Sequence, residues 1–171
     1  MILKKISFIL FITFFTFSLN SMEIKKIGKD NKINFYTGMF DFSDHGQKSA
    51  LVGIQHQDEN LNRNTFLGNI SPVTGAFMTT KGLAGYIYTG VQANYKFRNL
   101  SVTPSFTPGL YTNGKSKNLG HPIEFKTEVQ ISFDLLKNSE LGFSYNHMSN
   151  AQIGDHNPGS NSYMFNFFKN F

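Results

Sequence analysis

The sequence predicts an all-β protein: an eight-stranded antiparallel transmembrane β-barrel of the outer-membrane type, behind a cleaved signal peptide. Three observations carry this. Alternation of apolar and polar residues at period two runs through most of the chain. No apolar run of about eighteen residues follows the first segment, which excludes helical membrane spans. The connections between alternating stretches are by turns tight and long, and the chain ends on an aromatic strand.

The elements follow in order. Met1-Ile-Leu-Lys-Lys opens the chain, followed by an apolar run from Ile6 to about Leu19. A basic start and an apolar core shorter than a bilayer span read as a signal peptide over 1–21. Its cleavage site is loosely written, and cutting after Ser18 or after Ser21 both fit. The remaining 22–171 is expected to form a single barrel domain. Removing the leader takes away Lys4 and Lys5 and no acid, so the formal charge falls from +5 to +3. That balance is too mild, and too lacking in a basic stripe, for a nucleic-acid partner. The chain has no cysteine, which excludes a disulfide framework, a thiolate zinc site and a lipid-modified N-terminal cysteine.

Strands are expected at roughly 33–42, 49–58, 66–78, 83–97, 100–111, 122–135, 140–149 and 161–171. The clearest alternation places Ile123, Phe125, Val129, Ile131, Phe133 and Leu135 on one face, with Thr127 the mild exception. Glu124, Lys126, Glu128, Gln130, Ser132 and Asp134 fall on the other. In a membrane barrel the oily face meets lipid and the polar face fills the interior. Strand 83–97 sets Ile87, Val91, Ala93, Tyr95 and Phe97 against Tyr86, Tyr88, Gln92, Asn94 and Lys96. In strand 100–111, Pro104 and Pro108 each remove a ladder donor, and bulges are expected to absorb them.

Arg98-Asn99 and Lys137-Asn138-Ser139 are tight connections, whereas 112–121 and 150–160 are long. The seven-residue stretch 59–65 is an exception, since it falls on the short-turn side. An even strand count puts both ends on the periplasmic side and 150–160 outside. Eight strands enclose just enough space for their own side chains, so Glu124, Lys126, Glu128 and Asp134 are expected to plug the interior rather than line a pore.

Chemistry concentrates in the last hairpin. Odd positions Leu141, Phe143, Tyr145, Tyr163, Phe165, Phe167 and Phe171 face lipid, and His147, Ser149 and Asn161 share that parity near the outer rim. Cross-strand neighbours lie within about 5 Å at Cβ, close enough for a hydrogen-bonded relay. Serine becomes a nucleophile when a base takes its proton, histidine is such a base, and a third group fixes the histidine tautomer. Here the third group is an amide. Asn150, Asn157 and the backbone amides of the Ala151–Gly154 segment are candidates to stabilise an oxyanion. His45, His56, His121 and His156 are scattered without metal-ligand spacing, and neither a metal nor a cofactor is implied.

The run His147-Met-Ser149-Asn150-Ala151, then Asn157-Pro158-Gly159 and a terminal aromatic strand, resembles the lipid A 3-O-deacylase family. That resemblance implies an eight-stranded outer-membrane barrel that hydrolyses the ester-linked acyl chain at position 3 of lipid A. It implies Ser149 as nucleophile, His147 as base, and Asn150 and Asn157 as accompanying asparagines. The family's catalytic glutamate falls at Asn161, and a family glycine falls at Gln152. The implied partners are lipid A, or whole lipopolysaccharide, and the bacterial outer membrane. Pairing of two barrels as a homodimer stays open. Two other readings stand beside this one: an inactive structural or adhesive barrel, and a general phospholipase or acyloxyacyl-type hydrolase using the same residues.

Overall fold

The computed structural model describes residues 31–44 and 46–171, so the expected signal peptide and His45 lie outside the described residues. Among the described residues ten strands form: β1 Lys32–Phe40, β2 Ser49–Gln57, β3 Arg63–Thr65, β4 Gly68–Thr79, β5 Gly85–Ala93, β6 Tyr95–Phe97, β7 Leu100–Thr112, β8 Ile123–Leu136, β9 Ser139–Ser149 and β10 Ser160–Asn170. Every pairing is antiparallel. The ring runs β1, β2, β4, β5, β7, β8, β9, β10 and returns to β1. This is the expected closed eight-stranded wall, because β3 and β6 are continuations of neighbours rather than extra staves.

β6 keeps the register of β5. Gln92 faces Ser105 and Tyr95 faces Val102, so predicted strand 83–97 is one stave interrupted at Asn94. β3 continues β2 with an insertion. Gln57 faces Val73, so unbroken pairing would set Asn60 opposite Ile70, where Arg63 stands instead. The three extra residues coil into a 3-10 turn, Glu59–Leu61, capped by the Asp58 side chain. The turn swings Glu59 into the lumen, where it is 3% exposed and its Oε1 lies 3.3 Å from Lys32 Nζ.

Two other expectations need correction. No bulge accompanies Pro104 or Pro108, since β7 and β8 pair in one register from Leu100–Phe133 to Leu110–Ile123. On the other side the ladder skips from Tyr88–Gly109 to Val91–Phe106, leaving Pro108 where no bond is made. A gap in the ladder accommodates a missing donor as well as an extra residue would. The irregularity falls instead between Asp134 and Leu136 in the β8–β9 pairing. Beside it, Asp134 keeps the lumen-facing register opposite Glu140 but stands exposed at the short-turn mouth, where it meets Lys96.

The rest of the interior matches the alternation. Lys126 Nζ lies 2.6 Å from Glu128 Oε2 and 3.9 Å above the centre of the Tyr88 ring. Gln130 donates to Glu128 Oε1 at 2.7 Å, and Gln57 to Gln130 at 3.1 Å. Glu124 is buried with them. Nearer the short-turn end, Lys32 bridges Glu59 and Glu140, and Ser132 donates to the second Glu140 oxygen at 2.6 Å. Under the long loops the lumen is closed by an apolar cluster that includes Phe40, Phe77, Tyr86, Tyr111, Leu119 and Met148. The interior is a plug. Outside it, Val52, Ile54, Ile87, Leu110, Val129, Phe143 and Phe165 form an exposed apolar belt.

Candidate active site on the outer wall

The site grows from the β9–β10 register. His147 stands directly opposite Asn161, and Tyr145 opposite Tyr163, all on the outward face. His147 Nδ1 and Asn161 Oδ1 are 2.9 Å apart. The Tyr145 hydroxyl donates to the same oxygen at 2.8 Å. The other end of the amide, Asn161 Nδ2, donates to Ser43 Oγ at 3.3 Å. One asparagine therefore holds a histidine, a tyrosine and a serine together.

Ser43 arrives from the loop after β1, which bends over the rim. The Phe42 N–H donates to the Asn161 carbonyl at 3.0 Å. The Phe42 ring packs on Tyr163 at 5.4 Å and Tyr145 at 6.2 Å between centroids. On the lumen side, buried Asp41 accepts from Lys117 at 2.8 Å, tying the same loop to the one after β7. The loop is pinned from both sides. Below the polar patch, Phe143, Tyr163 and Phe165 continue as an aromatic strip down the wall.

Ser149 is half-buried at the end of β9, opposite Phe125 of β8, two positions beyond His147. Its hydroxyl is not hydrogen-bonded to the imidazole in this geometry. Such bonds commonly tighten only once substrate is bound. The far edge of the imidazole faces the loop: a Cβ on Gly159 would lie 3.1 Å from His147 Cε1 and 3.6 Å from Nε2. Gly159 also has φ +63°, so both space and backbone favour glycine there.

Asn150 turns out to be fully committed. Its Nδ2 donates to the carbonyls of Leu119 and His156, each at 2.9 Å. Its Oδ1 accepts from Gln152 N at 2.9 Å, and its own N–H donates to Asn157 Oδ1 at 3.1 Å. A completely buried side chain with every polar atom used shapes the loop and has no donor left for a ligand. Ala151 and Gln152 follow with φ +53° and +65°, an unusual left-handed pair that reverses the chain just past Ser149. Within the Ala151–Gly154 segment the N–H groups of Gln152 and Ile153 are spent on Asn150, and those of Ala151 and Gly154 are not. Among the described residues no group of histidines and acids is arranged to hold a metal.

Sequence reasoning thus reached His147, Ser149, Asn150, Ala151, Asn157 and Asn161, and missed Ser43, Tyr145 and Gly159 as neighbours of the patch. Tyr145 shares the odd parity and was readable only as part of the oily stripe. Nothing local marks Ser43.

A closed eight-stranded wall with an apolar belt, a polar plug and a polar patch at one rim defines an outer-membrane barrel. The chain belongs to the lipid A 3-O-deacylase (PagL) family, whose model matches residues 32–170. No curated protein matches the sequence. Among solved structures, the chain is similar to the outer membrane enzyme PagL, with TM-score 0.61 and 12% identity over 81% of this chain and 98% of that one. It is also similar to Neisserial surface protein A, with TM-score 0.52 and 11% identity over 82% and 97%. For the Yersinia pestis outer membrane protein Ail the values are 0.51 and 11% over 84% and 100%. At such identities these likenesses carry the fold alone. The protein is located in the bacterial outer membrane, and by the rule for such barrels its long loops face outward and its short turns the periplasm.

Proposed function

We propose that this barrel hydrolyses the 3-O-linked acyl ester of lipid A, with Ser149 as nucleophile and His147 as base. The observation that carries the reading is the 2.9 Å contact between His147 Nδ1 and Asn161 Oδ1 on the lipid-facing wall at the outer rim. An acceptor at Nδ1 keeps the proton there and leaves the Nε2 lone pair free for Ser149. Ser149 Oγ attacks the ester carbonyl carbon while Nε2 takes its proton. The Ala151 N–H and Asn157 Nδ2 receive the developing oxyanion. The imidazolium then protonates the departing sugar oxygen, and a water activated by His147 releases the free acid from the acyl-serine. A site open to the bilayer lets the acyl chain reach Ser149 without leaving lipid.

Asn161 limits this machinery. A carboxylate only accepts, so it enforces the Nδ1–H tautomer and stabilises the imidazolium. An amide can turn over and offer Nδ2 instead. Ser43 and Tyr145 both donate or accept, so neither forbids the reversed amide. That observation favours a second reading, in which the barrel is catalytically inactive and structural. Mass spectrometry of lipid A from cells expressing the protein separates the two. Loss of one 3-hydroxyacyl chain, absent with Ser149→Ala, supports hydrolysis. Unchanged lipid A at full expression of folded barrel, with both wild type and Asn161→Glu, sinks it.

A further inference from the structure

The stretch at 59–65, too long for a periplasmic turn, folds as the 3-10 turn and β3. Strand β3 passes into β4 through a hairpin whose tip is the most exposed apolar feature of the described wall. Thr65 pairs with Gly68, leaving Phe66 and Leu67 as the two tip residues. Phe66 is 95% exposed and Leu67 53%. A soluble tip would carry polar turn residues, and this turn already has its chemistry satisfied without them. The Thr65 hydroxyl accepts from Leu67 N and donates to the Gly68 carbonyl, and Gly68 supplies φ +97°. Phe66 and Leu67 are therefore not needed to make the turn.

The tip is placed at a definite height and side. Ile70 faces Ala93, so the same register sets Gly68 opposite Tyr95, two residues above the Arg98-Asn99 turn. Tyr95 belongs to the outward parity of its stave. Its ring lies 3.3 Å from where a Gly68 Cβ would be, and its hydroxyl donates to the Leu67 carbonyl at 2.6 Å. The hairpin is thus fastened to the lipid-facing side of the wall at the periplasmic rim. Exposed Phe97, Leu135 and Leu136 are outward neighbours at that rim, continuous with the apolar belt. Arg63, Arg98 and Lys137 are exposed beside them, suited to phospholipid phosphates.

We propose that the β3–β4 hairpin is an interfacial anchor that lays Phe66 and Leu67 into the headgroup boundary of the periplasmic leaflet. The occupant is phospholipid, because the tip continues a surface already in lipid and is flanked by cations. Aromatic and aliphatic side chains at that depth remove apolar area from water while the nearby arginines stay solvated. The anchor does not depend on the esterase reading, since it needs only the barrel in a membrane.

The chain contains no tryptophan, so Phe66→Trp introduces a sole indole. Full-length folded protein in phosphatidylethanolamine–phosphatidylglycerol vesicles is compared with Asp155→Trp in an outer loop and Phe165→Trp on the belt. The expected result is blue-shifted emission, strong quenching by phospholipids brominated near the headgroup end of the chain, and weak quenching by acrylamide. Phospholipids brominated near the chain end should quench Phe165→Trp more than Phe66→Trp. Leu67→Trp repeats the measurement should the first variant fold poorly. Emission and acrylamide quenching equal to Asp155→Trp, in both tip variants, would overturn the anchor. So would protection that appears only when a second protein is added.

Discussion

The barrel carries polar groups in two places, and it treats them differently. In the lumen, Lys126, Glu128, Lys32, Glu59 and Glu140 are ionisable and buried, and each sits against an opposite charge at 3.3 Å or less. On the outer wall, Tyr145, His147, Ser149, Asn161 and Ser43 include no carboxylate and no amine. For these five, charge inside is tolerated because partners and hydrogen bonds replace water, whereas both carboxyl oxygens of buried Glu124 lack a hydrogen-bond partner among the described residues. On a lipid-facing wall only neutral groups avoid a large desolvation penalty, and a lone carboxylate there is expensive. Asn161 fits that rule for membranes and departs from the rule for triads. The difference separates the groups that hold the protein together from the patch proposed to carry its chemistry.

Ser149→Ala should lower deacylation by roughly 10³-fold or more while leaving the heat-dependent gel shift of the folded barrel unchanged. A matching loss of fold would make the outer patch structural. Lys126→Met strands Glu128 and should destabilise the barrel by about 3–5 kcal/mol in urea titrations. The double change Lys126→Met/Glu128→Gln should recover most of that, and neither should alter turnover per folded molecule. Asn161→Asp keeps the size of the side chain and supplies the missing acid. Turnover should rise by about 10²-fold, read as released fatty acid per folded barrel, with the midpoint of unfolding lowered. Tyr145→Phe removes one of two donors on the Asn161 oxygen. A loss of about 10-fold in kcat with little change in KM is expected, and it should shrink in the Asn161→Asp background, where the tautomer is held without the tyrosine.

Much of the wall was legible because alternation is local. Ile123 through Leu135 announced their faces before any pairing was known, and Glu124, Lys126 and Glu128 lie in the lumen as read. Asp134 obeys the same parity, opposite lumenal Glu140, but stands at the open mouth beside Lys96 and not in the packed interior. Lys32 and Glu140 went unnoticed because each alone is an ordinary strand-end charge, 108 positions apart; only ring closure makes them partners. The Glu59 stretch read as an over-long turn. That it is an insertion within a continuing stave depends on β4 holding both pieces.

The outer patch divides along the same line. The spacing of His147 and Ser149 and the parity of Asn161 follow from period-two geometry, which any sheet imposes on its own residues. The sequence alone therefore determined the wall, its greasy side and the three side chains that share it. The tertiary structure decided what those side chains touch. Ser43 meets Asn161 across 118 positions because β1 and β10 close the ring and bring one loop over the rim. Asn150 changed from a candidate donor to a loop anchor because Leu119, thirty-one positions away, takes one of its hydrogens. Periodicity fixes a direction for each side chain. Only closure of the ring, which sets how far each strand is staggered against its neighbours, fixes the partner found there.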